Sequence, residues 1–404
     1  LPQVFTVYIF LAFTLASFPQ TVLSDDSSIE TLESQIEQQP EAFEILKKLG
    51  TAYLKATRNQ DAIKILKKAK EINPEDGDVR WKLALAYSRV KKKELSIEEA
   101  RKSIQLNPNQ FQPHIVLADN LYSLKQDEQA LKEYQLALSL NPEYINAYRR
   151  IGYIHYDSKK YKEAVDAFTS YLQKFQKDTE AQFQLGMALY SLKKYEEAIL
   201  EYKKALEINP NAQEARLWLG ISYSSVSKFK EAIDEFEIYT SSNAENAFAY
   251  FEYAKTLSLD KNYDEALKKV RTAINIKPND VGFRGLLSQI YGKMDKSADQ
   301  IKELKSILDD NPGHPYIHRT LAIAYDANSQ HELAIKEFKE HLESSNSDVY
   351  AYYRLALVFN RLNKIPEAIE AFKASVKIDP AYQASYHELG VIYAGKLGKY
   401  EDAI

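Results

Sequence analysis

Proline recurs in this chain at one phase of a 34-residue lattice. Pro40, Pro74, Pro108, Pro142, Pro210, Pro278, Pro312 and Pro380 fall on it, eight of the 13 prolines, and Gln176, Ala244 and Asn346 occupy the three remaining points. No insertion or deletion interrupts the lattice from Pro40 to Pro380. Proline has no amide hydrogen, collides with the preceding turn and pushes the residue before it out of the helical region, so Ile-Asn-Pro or Leu-Asn-Pro ends a helix. The lattice therefore predicts a helix terminus at every period. Pro113, Pro315 and Pro366 fall where a helix of the lattice should begin, a place where proline is tolerated, while Pro2 and Pro19 precede the repeats.

One period, Thr179 to Pro210, contains two amphipathic helical patterns joined by Ser191-Leu192-Lys193-Lys194. Phe183, Leu185, Gly186 and Leu189 share one side of the first, and Ala198, Tyr202, Ala205 and Leu206 one side of the second. Gly186 and Ala198 are small enough for close approach of the two helices, leaving holes for the larger residues around them. The small position of the first helix reads Gly50, Ala84, Ala118, Gly152, Gly186, Gly220, Ala254, Ser288, Ala322, Ala356 and Gly390, and mostly leucine stands before it. The small position of the second helix is mostly alanine, followed four residues later by large side chains such as Tyr134, Phe168, Tyr202, Phe236, Phe338 and Phe372. A hairpin of about 34 residues buries too little surface to fold alone, so each copy needs another beside it.

The Leu-Gly, Tyr, Ala, Phe and Pro positions at this period resemble the tetratricopeptide repeat (TPR) family. The resemblance covers residues 43 to 404 and implies an all-α fold, an α-α superhelix or solenoid of about eleven helix-turn-helix repeats. The repeats run 43–76, 77–110, 111–144, 145–178, 179–212, 213–246, 247–280, 281–314, 315–348, 349–382 and a partial 383–404. Residues 25–42 read as a capping helix, with Ile29, Leu32 and Ile36 on its apolar face. What the resemblance implies for function is a non-enzymatic scaffold that binds a protein or peptide on its concave face.

The first 24 residues carry no charge, and Val4 to Ala16 is almost wholly apolar. They read as a secretory signal, so export to a periplasm, cell envelope or extracellular space is expected, with a retained membrane anchor as the alternative. The final repeat stops inside its second helix, and the native polypeptide is expected to continue. The second functional reading is accordingly a substrate-docking arm of a larger enzyme, such as a glycosyltransferase, with catalysis beyond Ile404.

Composition removes several chemistries. There is no cysteine, hence no disulfide or thiolate metal site. A net charge of −4 gives no basic surface for nucleic acid. No Gly-rich Lys-Ser/Thr nucleotide loop is present, His331-Glu332-Leu333-Ala334-Ile335 lacks a second histidine, and His314 and His318 lack a third ligand. No cofactor or metal is expected. Glu196, Glu197 and Glu201 read as a solvated outer face with lysine partners. The chaperone-tail clamp of the family is matched only by Lys47, since Thr51 and Lys82 replace its asparagines, and the asparagine ladder of its sugar-transferase members is missing.

The three periods without a lattice proline share a second departure: Tyr171, Tyr239 and His341 stand where other repeats mostly have Ala or Ser. A larger residue there is expected to change the pitch between neighbouring hairpins. The binding surface implied by the family is built from first helices, at three sets of positions: three before, one after and four after the small residue. Trp81, Phe183, Phe251 and Tyr353 fall in the first set, Tyr153 in the second, and Tyr122, Tyr156 and Tyr190 in the third, with Arg149 among them. Aromatic side chains with a polar tip suit an extended or helical peptide with apolar anchors. Trp81 and Phe183 fit packing between hairpins equally well.

Overall fold

The computed structural model describes residues 26–311, 314–396 and 398, so the apolar stretch 1–24 and the lattice point Pro312 lie outside the described residues. A leading helix, α1 (Asp26–Gln38), precedes ten helix pairs. These are α2 (Phe43–Lys55) with α3 (Asn59–Ile72), α4 (Gly77–Arg89) with α5 (Lys93–Leu106), α6 (Phe111–Ser123) with α7 (Asp127–Leu140), α8 (Asn146–Asp157) with α9 (Tyr161–Lys174) and α10 (Thr179–Ser191) with α11 (Tyr195–Ile208). There follow α12 (Gln213–Ser225) with α13 (Phe229–Ser242), α14 (Ala247–Leu259) with α15 (Tyr263–Ile276), α16 (Val281–Lys293) with α17 (Ser297–Asp310), α18 (Pro315–Ala327) with α19 (His331–Ser344) and α20 (Val349–Arg361) with α21 (Ile365–Ile378). Helix α22 (Gln383–Val391) and a π-helical turn, Ile392–Lys396, complete the described chain, which contains no strand. The fold is an all-α tetratricopeptide-type solenoid. It divides into two compact units, 1–212 and 213–404.

Within each unit a first helix packs on its own second helix, and that second helix packs on the first helix of the next repeat. The small lattice position explains how. A Cβ on Gly50, Gly152 or Gly186 would sit 2.5–2.7 Å from the side chains of Leu66, Phe168 and Tyr202. The hole beside the small residue is thus filled chiefly by the large residue of the second helix. Those side chains are fully buried, as are Tyr134, Phe236, Phe338 and Phe372. Burying one such side chain contributes about 1.5–3 kcal/mol. In the leading helix, Ile29 is buried in the same cluster as Leu46, Leu49 and Leu66, and Leu32 and Ile36 pack against that cluster.

Every turn between paired helices contains one residue of positive φ: Thr57, Lys91, Lys125, Lys159, Lys193, Ser227, Lys261, Asp295, Ser329 and Asn363. The residue after it donates its amide to a carbonyl five residues back, as Arg58 does to Tyr53 at 2.8 Å and Lys194 to Leu189 at 3.0 Å. This left-handed cap closes the first helix and reverses the chain. The other end of the repeat is fixed by capping carboxylates and amides. Asp76, Asp178, Asn246, Asp280 and Asp348 each accept the amide three residues on, at 2.8–3.1 Å.

At the three prolineless junctions the large residue reaches that capping side chain. Tyr171 donates to Asp178 at 2.8 Å, Asn246 donates to the Tyr239 hydroxyl at 2.8 Å, and His341 Nε2 lies 2.9 Å from Asp348. The junctions are therefore tied by a hydrogen bond seven residues long, which alanine could not make. Paired groups also cross many hairpins: Arg80 with Glu99, His114 with Glu133, Arg216 with Glu235, Arg284 with Glu303 and His318 with Glu337, all at 2.6–2.8 Å. Glu201 belongs to this set through Gln182, so its solvated reading is corrected: its side chain is 13% exposed and bonded inside the hairpin as well as to Lys204.

Candidate partner-binding groove

First helices carry every residue that the sequence marked for binding. Tyr122, Tyr156 and Tyr190 stand near the ends of α6, α8 and α10 and are half-buried. Tyr122 donates its hydroxyl to Asp157 at 3.1 Å, and the Tyr156 hydroxyl is bonded to the Ser191 side chain, so each is held by the first helix of the next repeat. The Tyr156 ring lies 5.5 Å from Tyr161 and the Tyr190 ring 5.0 Å from Tyr195. Burial, reinforced by Asp157, pushes the Tyr122 hydroxyl well up, and burial also raises Tyr156. Both stay neutral near neutral pH. Their rings are half-buried and their polar tips are held by the next repeat.

Arg149 lies nearer the start of α8. Its Nη1 donates to Asp178 at 3.1 Å, and its guanidinium lies 5.9 Å from the ring centroids of both Tyr153 and Tyr171. Burial opposes its charge, but Tyr153 and Asp178 outweigh that and hold it protonated. Tyr153 packs edge-on against Phe168 at 5.4 Å, and its hydroxyl donates to Glu180 at 3.4 Å; burial, then Glu180, push it up to about 12. One arginine therefore orients two tyrosines and a helix cap.

The first set of positions divides differently. Phe183 is buried against Tyr202 with ring centroids 5.8 Å apart, leaving almost no surface for a partner. Trp81 is half-buried, with its indole donating to Asp78 at 2.7 Å. Phe251 stacks on Phe283 of the next repeat at 5.1 Å, and Tyr353 lies between Phe372 at 5.9 Å and Tyr382 at 5.5 Å. The structure thus brings Tyr122, Tyr153, Tyr156, Tyr190 and Arg149 into three successive repeats of the first compact unit. Phe251 and Tyr353 belong to the second unit.

Sequence reasoning passed over Asp326, Arg354 and Arg361, which form an ionic cluster around the buried Asp326 carboxylate in the second unit. The available signal was positional, since Asp326 occupies in α18 the repeat position that Tyr122 occupies in α6.

Helix pairs of near-constant length and a shared turn geometry define the class of helical-repeat interaction proteins. Family models described as TPR repeat match residues 118–159 and 186–226, and models described as tetratricopeptide repeat match 319–383 and both 44–76 and 77–110. Together these segments take up more than half of the chain, which belongs to the tetratricopeptide repeat family, a family of protein-interaction scaffolds. No curated protein matches it. Among solved structures it is similar to YrrB, described as a TPR protein with an unusual peptide-binding site, at 28% identity over 46% of this chain and 96% of that one, with a TM-score of 0.43. It is also similar to the C-terminal part of a TPR repeat-containing protein from Cytophaga hutchinsonii, at 18% identity over 60% and 99%, TM-score 0.50. Naa15/Naa10 bound to HypK-THB matches at 14% identity over 89% and 67%, TM-score 0.44.

Proposed function

We propose that this chain is a non-enzymatic scaffold that holds a protein or peptide partner against the first helices of repeats 111–212, and that it works outside the cytoplasm. The observation that carries the binding reading is the tyrosine ladder. Tyr122, Tyr156 and Tyr190 recur at the repeat period yet remain half-exposed, while the lattice aromatics of the second helices they pair with, Tyr134, Phe168 and Tyr202, are fully buried. The burial-raised hydroxyls of Tyr122 and Tyr156 suit contact surface rather than acid-base work. What supports the location is the uncharged, apolar start of the chain.

Binding is tested by affinity capture from an extract of the source organism, using the wild type and a variant carrying Tyr122→Ala, Tyr156→Ala and Tyr190→Ala. A retained protein should be lost with a penalty of about 2 kcal/mol or more, roughly 30-fold, while helicity persists. Equal capture by both chains would remove the ladder from the site. Export is tested by a reporter fused after Glu41, which should leave the cytoplasm; a reporter retained in the cytosol, with a functional upstream start supplied, would contradict it.

A further inference from the structure

In the second compact unit one buried carboxylate serves more cations than it neutralises. Asp326 is 3% exposed at the end of α18. Its Oδ2 accepts from Arg354 Nη2 at 3.2 Å and also from Arg361 Nη1, and its Oδ1 lies 3.1 Å from His331 Nδ1. Glu332, the next acidic residue at this end of the hairpin, is already bonded to Lys364 at 2.9 Å. Two guanidiniums therefore face one carboxylate, and the cluster keeps a positive surplus in a chain of net charge −4.

The geometry leaves donors over. Each guanidinium has five N–H groups and gives only one to Asp326. Arg354 gives another to the Tyr350 hydroxyl at 3.2 Å, while its Nε is buried with no partner among the described residues. The Arg361 side chain is 51% exposed, and Tyr350, 5.9 Å from the Arg354 guanidinium, is 41% exposed. A buried carboxylate that fixes two arginines through single bonds pre-positions them, so an incoming anion meets a fork already ordered.

We propose that Arg354 and Arg361, oriented by Asp326, receive the carboxylate of an Asp or Glu side chain on the partner, with Tyr350 packing beside its methylene stem. This rests on the scaffold reading and adds the chemistry of the partner: an acidic segment. Charge complementarity selects it, because the cluster presents guanidinium donors and an amphipathic ring.

The test uses the full chain and a fluorescent hexaglutamate peptide followed by anisotropy, with hexaglutamine as control. Hexaglutamate should bind in a salt-sensitive manner, hexaglutamine should not, and the variant with Arg354→Gln and Arg361→Gln should lose at least about tenfold in affinity with unchanged helicity. Arg361→Lys keeps the charge but not the fork and should lose about threefold or more. If the double variant loses helical signal, Arg361→Gln alone carries the test, since its side chain is half-exposed. Undiminished binding by these variants, or no binding to the wild type, would overturn the proposal. A phosphoserine hexapeptide binding tenfold tighter than hexaglutamate would reassign the site to phosphate and overturn the carboxylate assignment. If the site fails while capture still depends on the tyrosine ladder, the scaffold reading stands without it.

Discussion

Gly186 and Gly285 both lie in first helices, yet their surroundings set opposite expectations. A Cβ on Gly186 would lie 2.5 Å from the buried Tyr202 ring, whereas one on Gly285 meets nothing within 4 Å. Glycine in a helix interior costs about 0.5–1 kcal/mol relative to alanine. Gly285→Ala should therefore stabilise by about that amount, while Gly186→Ala must displace a packed ring and should lose about 1–2 kcal/mol net. Denaturant titration of the two variants checks this, and a shared sign would contradict the packing account. The small position was legible in the sequence because its demand repeats in every period. The positive-φ turn residue was hidden, since lysine rather than glycine fills it at Lys91, Lys125, Lys159, Lys193 and Lys261. Its constraint comes from the chain reversal, which a residue type so common on the surface does not announce.

At the scale of the element, the junctions show what a pattern conveys and what it omits. Tyr171, Tyr239 and His341 were visible as intruders on an alanine position, but their bonds to Asp178, Asn246 and Asp348 depend on how a second helix meets the next first helix. Asp348 gathers three favourable contacts: the Ala351 amide, His341 and Arg319 at 2.7 Å. Burial alone would raise its pKa, and those three contacts outweigh burial to hold it below the usual carboxylate value. A carboxylate depressed in the folded state adds stability above its unfolded pKa, and that stability is lost as pH falls through the folded one. Asp348→Asn should thus lower the thermal midpoint near neutral pH, with the difference from wild type shrinking below about pH 4. A difference that persists unchanged to about pH 2 would mean that the charge contributes nothing. The same reasoning explains why Glu201 was misread, for its partner Gln182 lies on another helix, 19 residues away.

Taken as a whole molecule, the chain is a periodic frame on which a few positions depart from the period. Proline spacing made the frame readable because proline acts only through local backbone geometry. The candidate site was readable in part: Tyr122, Tyr156 and Tyr190, taken from the third set of positions, are half-exposed, whereas Phe183, taken from the first, is core. Position on a helix specifies direction but not depth, and depth is what separates a contact residue from a packed one. Asp326 with its arginines was missed because no single residue of the cluster is unusual; only their convergence is. The central claim is that first helices α6, α8 and α10 form the partner-binding surface. Hydrogen exchange of the chain with and without its captured partner tests it most directly. The account predicts added protection in peptides covering 111–123, 146–157 and 179–191, with little change in α7, α9 and α11. Protection confined to the second helices, with capture intact, would contradict it.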